Sequence, residues 1–257
     1  MIIGLAGSTF LIYFLAAVLP ALVLLVQAYR LDRLEKEPLS LLLSLLFWGV
    51  VAAELAALAE QVGILLLERL LHHSRALRWS FSWENRAQAA SQGSPLYNFL
   101  LYFVVVALSE EGAKYLLLRY RTWRSPEFNC CFDGVVYAVF LSLGFAIWEN
   151  IHYVLVYGFA TAVGRAVTAV PGHACFGVFM GTWYGLSKRA ACRGEAERRR
   201  LFGFLAFLIP CLLHGAYDSI AAAQLLEVGW IFLPFICGMF LLSWLLVKRM
   251  SKGDSYL

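Results

Sequence analysis

The sequence predicts an all-α fold, a polytopic bundle of about seven transmembrane helices. Of its 257 residues, 61% are apolar and only 15% are charged, whereas a soluble domain carries about 45–50% apolar and about 25% charged residues. The apolar residues fall into seven stretches of about 20 residues or more, the length that a helix needs to cross a bilayer. None of these stretches alternates with the period of two that is typical of a membrane strand. Composition and run length therefore both favour helices in a membrane.

The seven predicted spans follow one another at residues 2–28, 39–67, 96–118, 134–157, 159–186, 201–226 and 228–247. The first span has no Lys or Arg before Arg30 and so lacks the basic start of a cleaved signal peptide, and we expect it to be retained. The longest connection, about residues 72–95, is too short to fold alone. Residues 1–257 are therefore predicted to form a single integral membrane domain, with a motif-bearing core at about 96–226.

Basic residues predict the orientation of the bundle. Of the 21 Lys and Arg residues, 15 lie in alternate connections, on one side of the predicted bundle. They are Arg30, Arg33, Lys36, Arg119, Arg121, Arg124, Lys188, Arg189, Arg193, Arg198, Arg199, Arg200, Lys248, Arg249 and Lys252. Because cytoplasmic loops carry an excess of Lys and Arg, the N-terminus is predicted outside and the C-terminus in the cytoplasm. The protein is thus predicted to be a multi-pass protein of the cell membrane.

The same composition limits the classes of partner. The chain lacks the dense basic charge with which a nucleic-acid-binding domain tracks phosphates, so no nucleic acid is expected and the surrounding partner is the lipid bilayer. None of the six cysteines lies in a predicted outer connection, so a disulfide framework is not expected. The sequence leaves the oligomeric state open.

Ionisable residues at membrane depth are functional candidates, because a charge in a bilayer is costly. They are Glu54, Glu60, Glu110, Glu111, Lys114, Glu149, His152, Arg165, His173, His214 and Asp218. With about 1.5 Å rise per residue from the centre of each span, the two central histidines lie near the midplane and the carboxylates of the third, fourth and sixth spans within about 6 Å of it. Glutamates and histidines from four helices are thus predicted to share one thin layer.

Helix periodicity directs several of these residues inward. His173 begins a ridge of glycines spaced four apart in the fifth span, and the fourth span has a similar ladder of small residues ending at Asn150. His214 and Asp218 are four residues apart and share one helix face. Lys114 lies within one turn of both Glu110 and Glu111 and is expected to act as their charge partner.

Structural rather than catalytic roles also fit some of these ionisable residues. Glu54 and Glu60 are six residues apart, so they face different directions and are expected to be structural or pore-lining charges. Arg165 either snorkels to the membrane surface or has a function. A packing role for the central glutamates and histidines is the remaining alternative.

Known protease templates fit poorly. The chain has no HExxH and no GxSxG motif. An aspartyl dyad needs two close aspartates, and the two that lie in or beside spans, Asp133 and Asp218, are separated by about 24 Å of depth. The glutamates and histidines at membrane depth remain as the candidate catalytic residues.

Five ordered motifs carry a family resemblance. They are Glu110-Glu111-x-x-Lys114, then Phe132-Asp133-Gly134-Val135-Val136-Tyr137, then Leu143-Gly144-Phe145-Ala146-x-x-Glu149-Asn150, then Gly172-His173-Ala174-x-Phe176-Gly177, and finally His214-Gly215-x-Tyr217-Asp218. In this order they resemble the PrsW family of intramembrane proteases, which is similar to the CAAX prenyl proteases and bacteriocin-processing enzymes. The match covers residues 110–218. Cys130, Cys131 and Ala138 depart from the family pattern at a predicted helix entry.

The resemblance implies hydrolysis of a peptide bond in a membrane-anchored protein, such as an anti-sigma-factor-like regulator. It places the catalytic residues at Glu110, Glu111, His173 and His214, and we add as supporting residues Lys114, Asp133, Glu149, Asn150 and Asp218.

Two mechanisms remain open at this point, and so does one rival function. Glu110 is favoured over Glu111 as the general base that activates water. The histidines either hydrogen-bond the oxyanion and the water, or they ligate Zn²⁺ with a carboxylate, the candidate ligands being His173, His214 and Glu110. The rival is a transporter or proton relay that uses the same midplane residues.

Overall fold

The computed structural model describes residues 2–71, 94–223 and 229–257, and these ranges are almost entirely helical. Nine α-helices are assigned in them. They are α1 Ile2–Leu31, α2 Leu39–Leu70, α3 Pro95–Leu100, α4 Ala107–Thr122, α5 Asp133–Tyr157, α6 Phe159–Val167, α7 Ala169–Cys192, α8 Ala196–Ala223 and α9 Phe232–Lys252. A π-helical turn, Leu101–Val106, joins α3 to α4 without a break, and a 3₁₀ turn, Gly229–Ile231, precedes α9. The predicted all-α class is confirmed. Most of the long 72–95 connection lies outside the described residues.

Five helices of the described ranges are long and apolar enough to cross a membrane. They span Leu11–Leu31, Leu39–Leu70, Asp133–Tyr157, Ala196–Ala222 and Phe232–Lys252. The other two predicted spans correspond to the continuous helix of α3, the π turn and α4, and to α7. The number of seven spans and the orientation of the termini stay predictions, while the multi-pass membrane character is confirmed.

Helix α5 is the centre of the bundle. In its most apolar window 83% of the residues are buried inside the protein, against 17% for α1 and for α9. It packs most extensively on α7, and then on α2 and α1. The neighbours that surround α5 therefore shield it from lipid on most sides.

Small residues let the backbones of α5 and its neighbours approach closely. A Cβ on Gly134 of α5 would lie 2.7 Å from the backbone nitrogen of Gly185 of α7, and a Cβ on Gly177 would lie 3.0 Å from the carbonyl oxygen of Ala138. The crossing of α2 and α5 at Gly49 and Gly144 is similarly tight. The predicted glycine ridge and small-residue ladder thus face each other, as in other close helix pairs.

The fifth predicted span, 159–186, proves to be two helices. Gly158 ends α5 and begins α6 with φ of +84°, in the left-handed region that favours glycine, and Thr168 separates α6 from α7. Pro171 lies in the first turn of α7, where its missing N–H has no intrahelical acceptor in any case. Hydropathy averaging cannot detect such a turn. His173 consequently lies near the start of a helix rather than at the middle of a long span.

The C-terminal residues form hydrogen bonds with neighbouring segments at their end of the bundle. The amide of Leu257 donates to the carbonyl of Asn129 (2.8 Å), and the amide of Phe132 donates to Asp254 Oδ1 (3.0 Å). Ser251 Oγ donates to the carbonyl of Leu31 (2.6 Å). These bonds tie the tail both to the segment before α5 and to the end of α1.

Two buried carboxyl groups lie in the connection between α1 and α2. Burial raises the pKa of Asp32 to about 6, although a backbone hydrogen bond from Glu37 opposes this. Burial also raises the pKa of Glu37, whose Oε2 accepts a hydrogen bond from the hydroxyl of Tyr137 (2.7 Å). Both groups therefore favour their neutral form in the folded protein more than in water.

Candidate active site

Helix α4 supplies two carboxylates and an ammonium to the interior. Glu110, Glu111 and Lys114 are each no more than 1% exposed. Lys114 Nζ lies 2.7 Å from Glu111 Oε1 and 3.5 Å from Glu110 Oε2, since positions three and four residues apart are neighbours on a helix surface. The same ammonium lies 3.9 Å from the ring centre of Phe145 on α5. The lysine thus contacts both glutamates, as their spacing predicts.

A π-helical turn precedes these residues. Leu101–Val106 forms hydrogen bonds with the wider spacing of a π-helix directly before Ala107. π-helical turns are rare, and those that occur are often found at functional sites. The extra residue of the turn rotates the residues that follow it around the helix axis. The turn therefore affects which side of α4 carries Glu110 and Glu111. The apolar sequence of the turn contains no signal that would have predicted it.

His214 of α8 lies against both carboxylates. Its Nδ1 is 2.8 Å from Glu111 Oε1, and its Nε2 is 3.7 Å from Glu110 Oε2. Asp218, one turn further along α8, approaches the same Nε2 to 3.5 Å. The ring is stacked on Phe176 of α7 at 4.7 Å between centres. Nδ1–H therefore donates to Glu111, and Nε2 lies close to the carboxylates of Glu110 and Asp218.

His173 of α7 connects the α4 cluster to α5. Its Nδ1 is 3.1 Å from Lys114 Nζ, and its Nε2 is 2.9 Å from Glu149 Oε2. An ammonium only donates, so Nδ1 accepts from Lys114 and Nε2–H donates to Glu149. This assignment makes His173 neutral, with both ring nitrogens engaged.

Arg165 of α6 completes the outer end of the network. Its Nη2 is 2.7 Å from Glu149 Oε2 and its Nε donates to Asn150 Oδ1 at 3.0 Å. Asn150 in turn donates to the carbonyl of Ala17 on α1 (3.0 Å). The guanidinium also lies 3.9 Å from the ring centre of Tyr153. Arg165 thus pairs with an interior carboxylate, a role that its position near a predicted span end did not reveal.

The structure brings most of the predicted site residues into one chain of contacts. That chain joins Glu110, Glu111, Lys114, Glu149, Asn150, His173, His214 and Asp218. Asp133 is not part of it. Asp133 begins α5, 16 residues or about 24 Å before Glu149, and its Oδ2 accepts hydrogen bonds from the amides of Cys130 (2.6 Å) and Asn129 (3.1 Å). These bonds fix the segment that leads into α5.

Glu54 and Glu60 of α2 face different directions, as their spacing of six residues predicts. Glu54 is exposed on α2 and accepts a hydrogen bond from Trp148 Nε1 at 2.5 Å, whereas Glu60 is buried. Neither belongs to the chain of contacts around Lys114. His152 lies one turn after Trp148, whose carbonyl oxygen is 2.9 Å from its Nδ1.

The cluster carries an excess of negative charge. Glu110, Glu111, Glu149 and Asp218 are four acids, and Lys114 and Arg165 are two bases, all linked by the contacts above. Among these six side chains the formal sum is −2. Uncompensated charge is costly in a low-dielectric interior, so protons or a cation close to these side chains stabilise such a cluster.

The donor atoms fit a divalent metal ion. Ligand atoms of Glu110, Glu111 and His214 all lie within 4.8 Å of one another and are buried. Glu111 Oε2 is buried and makes no hydrogen bond within the described ranges. Two carboxylates and one imidazole suit Zn²⁺, whose catalytic sites use three protein ligands and leave a position for water. Of the candidate ligands His173, His214 and Glu110, the first is directed at Lys114 and Glu149 instead, and Glu111 takes its place.

The comparisons with known proteins agree on one family. Residues 37–245 match the family model described as PrsW family intramembrane metalloprotease. A protein named Protease PrsW from Geobacillus kaustophilus (strain HTA426) is 30% identical over 94% of this chain and 92% of its own length. Proteins of the same name from Clostridioides difficile (strain 630) and Bacillus subtilis (strain 168) are 31% and 29% identical, covering 93% of this chain and 90% and 94% of their own lengths. No solved structure matches the chain.

Fold and site together define a polytopic membrane protein whose helices enclose acidic and imidazole groups. The chain belongs to the PrsW family of intramembrane proteases. The family membership predicted from the five motifs is thereby confirmed, and with it a multi-pass location in the membrane.

Proposed function

We propose that the protein hydrolyses a peptide bond of a membrane-anchored protein, and that Glu110, Glu111 and His214 form its catalytic centre. The observation that carries this proposal is the convergence of these three side chains from α4 and α8, with donor atoms within 4.8 Å of one another. Water is needed for hydrolysis, and His214 Nε2 and Glu110 Oε2, 3.7 Å apart, are close enough for one water that lies beside the pair to bond to both atoms.

Glu110 is the better general base of the glutamate pair. Glu111 Oε1 is held at 2.7 Å by Lys114 and at 2.8 Å by His214, whereas Glu110 Oε2 lies 3.5 and 3.7 Å from the same two residues. A tightly paired carboxylate is a weak base because its partners stabilise the ionised form. Glu111 therefore positions His214 and Lys114, and Glu110 takes the proton.

The proposed reaction follows general acid–base catalysis. As the water oxygen bonds to the scissile carbonyl carbon, Glu110 accepts one of its protons and the carbonyl π electrons move to the oxygen. When the carbon–nitrogen bond breaks, those electrons re-form the carbonyl and Glu110 returns the proton to the leaving amine. The positive charge of Lys114, buried beside the cluster, stabilises the developing oxyanion.

His173, Glu149 and Arg165 act as positioning residues. The chain from Arg165 through Glu149 to His173 holds the imidazole in one tautomer, and that imidazole accepts a hydrogen bond from Lys114. Partners of this kind orient a reactive group and are required nearly as strictly as the group itself. The sequence leaves His173 either a hydrogen-bond partner of the oxyanion and water or a zinc ligand, and the engagement of both ring nitrogens supports the positioning role instead.

A divalent ion, if it is the resident cofactor, would be held by Glu110, Glu111 and His214. When bound, Zn²⁺ supplies a Lewis acid that polarises the carbonyl and lowers the pKa of water. Zinc stoichiometry in purified protein, together with the sensitivity of cleavage to chelators, distinguishes the metal-dependent mechanism from the metal-free one. Full activity in metal-free protein eliminates the metal version.

The test of the proposed activity compares membrane-protein fragments in cells that express wild-type protein, Glu110→Gln/Glu111→Gln or the control Glu54→Gln. The control removes an intramembrane carboxylate that lies outside the cluster. Mass spectrometry should find fragments with the wild type and the control that the double variant does not produce. Identical fragment patterns in all three would overturn the proposal, and proton or solute flux in proteoliposomes that disappears in the double variant would then favour the transporter.

A further inference from the structure

A cleft of about 490 Å³ opens between α4 and α8, at the end of the bundle that is predicted to face the cytoplasm. Tyr115, Phe204 and Phe207 form its aromatic wall, and Arg119, Arg199 and Arg200 lie at its mouth. A second cleft of about 410 Å³ shares Arg119 with the first and adds Trp123 and Arg124. The two clefts therefore form one continuous apolar surface with four guanidinium groups along its edge.

These arginines lack carboxylate partners within residues 2–71, 94–223 and 229–257. Arg119 lies 4.5 Å from the ring centre of Trp123, and Arg199 and Arg200 are exposed. Their neighbour Arg198 is different: its Nη1 pairs with Glu195 Oε2 at 3.1 Å, and it does not line the 490 Å³ cleft. The positive charge at the mouth is therefore available to an anion.

We propose that this cleft binds one anionic phospholipid, with the phosphate at Arg119, Arg199 and Arg200 and the upper acyl chain against the aromatic wall. A guanidinium fork matches two phosphate oxygens, and basic pockets between transmembrane helices on the cytoplasmic side are suited to anionic head groups. The apolar wall argues against a soluble anion as the main occupant, because most of the lining of the cleft is suited to hydrocarbon.

Charge argues against the other natural occupant, a transmembrane segment of a protein substrate. The cytoplasmic flanks of such segments are enriched in Lys and Arg, and four arginines at the edge of the cleft repel them. An anionic lipid has the opposite charge and is present around every copy of the protein. Charge complementarity thus selects the lipid.

A lipid in this position would bridge the two helices of the candidate active site. The cleft reaches Gly112, the residue after Glu111, and Gly203, 11 residues before His214 on α8. The head group contacts α4 through Arg119 and α8 through Arg199 and Arg200. Bound lipid should therefore hold α4 and α8 together, whether or not the centre between them is a protease.

The test titrates purified full-length protein in neutral detergent with dioleoylphosphatidylglycerol or dioleoylphosphatidylcholine and counts bound lipids by native mass spectrometry. We expect one phosphatidylglycerol to bind wild-type protein at least tenfold more tightly than phosphatidylcholine. Each arginine contributes about fivefold, so Arg199→Gln/Arg200→Gln should bind phosphatidylglycerol about twenty-five-fold more weakly. The matched control Arg198→Gln should bind it like the wild type.

A variant on the opposite wall and a competing ligand complete the design. Arg119→Gln should weaken binding about fivefold, and the melting temperature of each variant without lipid shows that its fold is intact. Equal binding of the two lipids, or unchanged binding in both the double variant and Arg119→Gln, would overturn the proposal. So would binding of a synthetic acidic transmembrane peptide that displaces all phosphatidylglycerol, because it would assign the cleft to a protein segment.

Discussion

Nδ1 of His214 lies 2.8 Å from Oε1 of Glu111, although 103 residues separate them in the chain. The contact joins α4 to α8, and the ammonium of Lys114 lies on the other side of the same oxygen at 2.7 Å. One carboxylate oxygen therefore receives hydrogen bonds from two helices. Glu110 lies further from the same two partners, 3.5 Å from Lys114 Nζ and 3.7 Å from His214 Nε2.

Replacing His214 should abolish cleavage while the protein remains in the membrane. We expect His214→Ala to lower the cleavage rate at least about a hundredfold, because general acid–base groups contribute about 10² to 10⁴. The measurement is the amount of product fragment per amount of protein in membranes. His152→Ala is the matched control, since His152 lies outside the chain of contacts around Lys114 and packs on Trp148, with its Nδ1 2.9 Å from the Trp148 carbonyl oxygen. Equal losses in both variants would contradict a specific role for His214.

Removing the charge of Lys114 should destabilise the protein. Lys114→Met leaves Glu110 and Glu111 without their nearest cation, and breaking a buried ion pair costs about 3–5 kcal/mol. The free energy of unfolding in detergent measures the loss. Glu110→Gln/Glu111→Gln in the same chain should restore much of it, because the uncompensated charges are then gone. A triple variant no more stable than Lys114→Met would show that the lysine acts through packing.

The ion pair of Arg165 and Glu149 should behave as one unit. Arg165→Met and Glu149→Gln are each expected to destabilise the protein, but the double variant should lose less than the sum, by about 1–3 kcal/mol. A double-mutant cycle on unfolding free energies provides the coupling energy. Strict additivity would mean that the 2.7 Å contact contributes nothing.

Close packing between α5 and α7 should make Gly134 intolerant of a side chain. A Cβ there would lie 2.7 Å from backbone nitrogen, so the helices must separate, and we expect Gly134→Ala to destabilise the protein by about 1–3 kcal/mol. Gly238 on α9 has nothing within 4 Å of its added Cβ and is the control. Gly238→Ala should be neutral or slightly stabilising, because alanine favours helices. Thermal unfolding in detergent compares the two.

The buried carboxyls of the α1–α2 connection should make stability depend on pH. Burial raises the folded-state pKa of Glu37 above its ordinary value, so the folded state binds the proton more tightly than the unfolded state. The stability that this proton provides is present at low pH and is lost as the pH rises through the folded-state pKa. Glu37→Gln should reduce that decline between pH 5 and 8, whereas Glu35→Gln, at an exposed neighbour, should leave it unchanged. Melting temperatures across this range are the readout.

The helical class and the polar layer could be predicted because each rests on local properties. Hydropathy and run length are averages over about 20 residues, and they located every long helix of the described ranges. The spacing of Glu110, Glu111 and Lys114 predicted their mutual contacts, because residues three and four apart share a helix face. The order of the motifs predicted the family.

What the sequence did not reveal depends on tertiary geometry. The turn at Thr168 and the π-helical turn at Leu101–Val106 interrupt apolar sequence without changing its average hydropathy. The pairing of Arg165 with Glu149 requires α6 to fold back over α5, which no local pattern specifies. The predicted depth of Asp133 in the membrane, about 24 Å from that of Asp218, already argued against its membership of the cluster. Its motif had nevertheless suggested a supporting role.

The buried charges of α4 have a consequence for biogenesis. Glu110, Glu111 and Lys114 would each cost about 3 kcal/mol in the centre of a bilayer if α4 entered it alone, and their compensating partners Glu149, His173 and His214 are synthesised later. We therefore expect stable integration of α4 to depend on the helices that follow it. Membrane integration of the middle of the chain should then be cooperative rather than sequential.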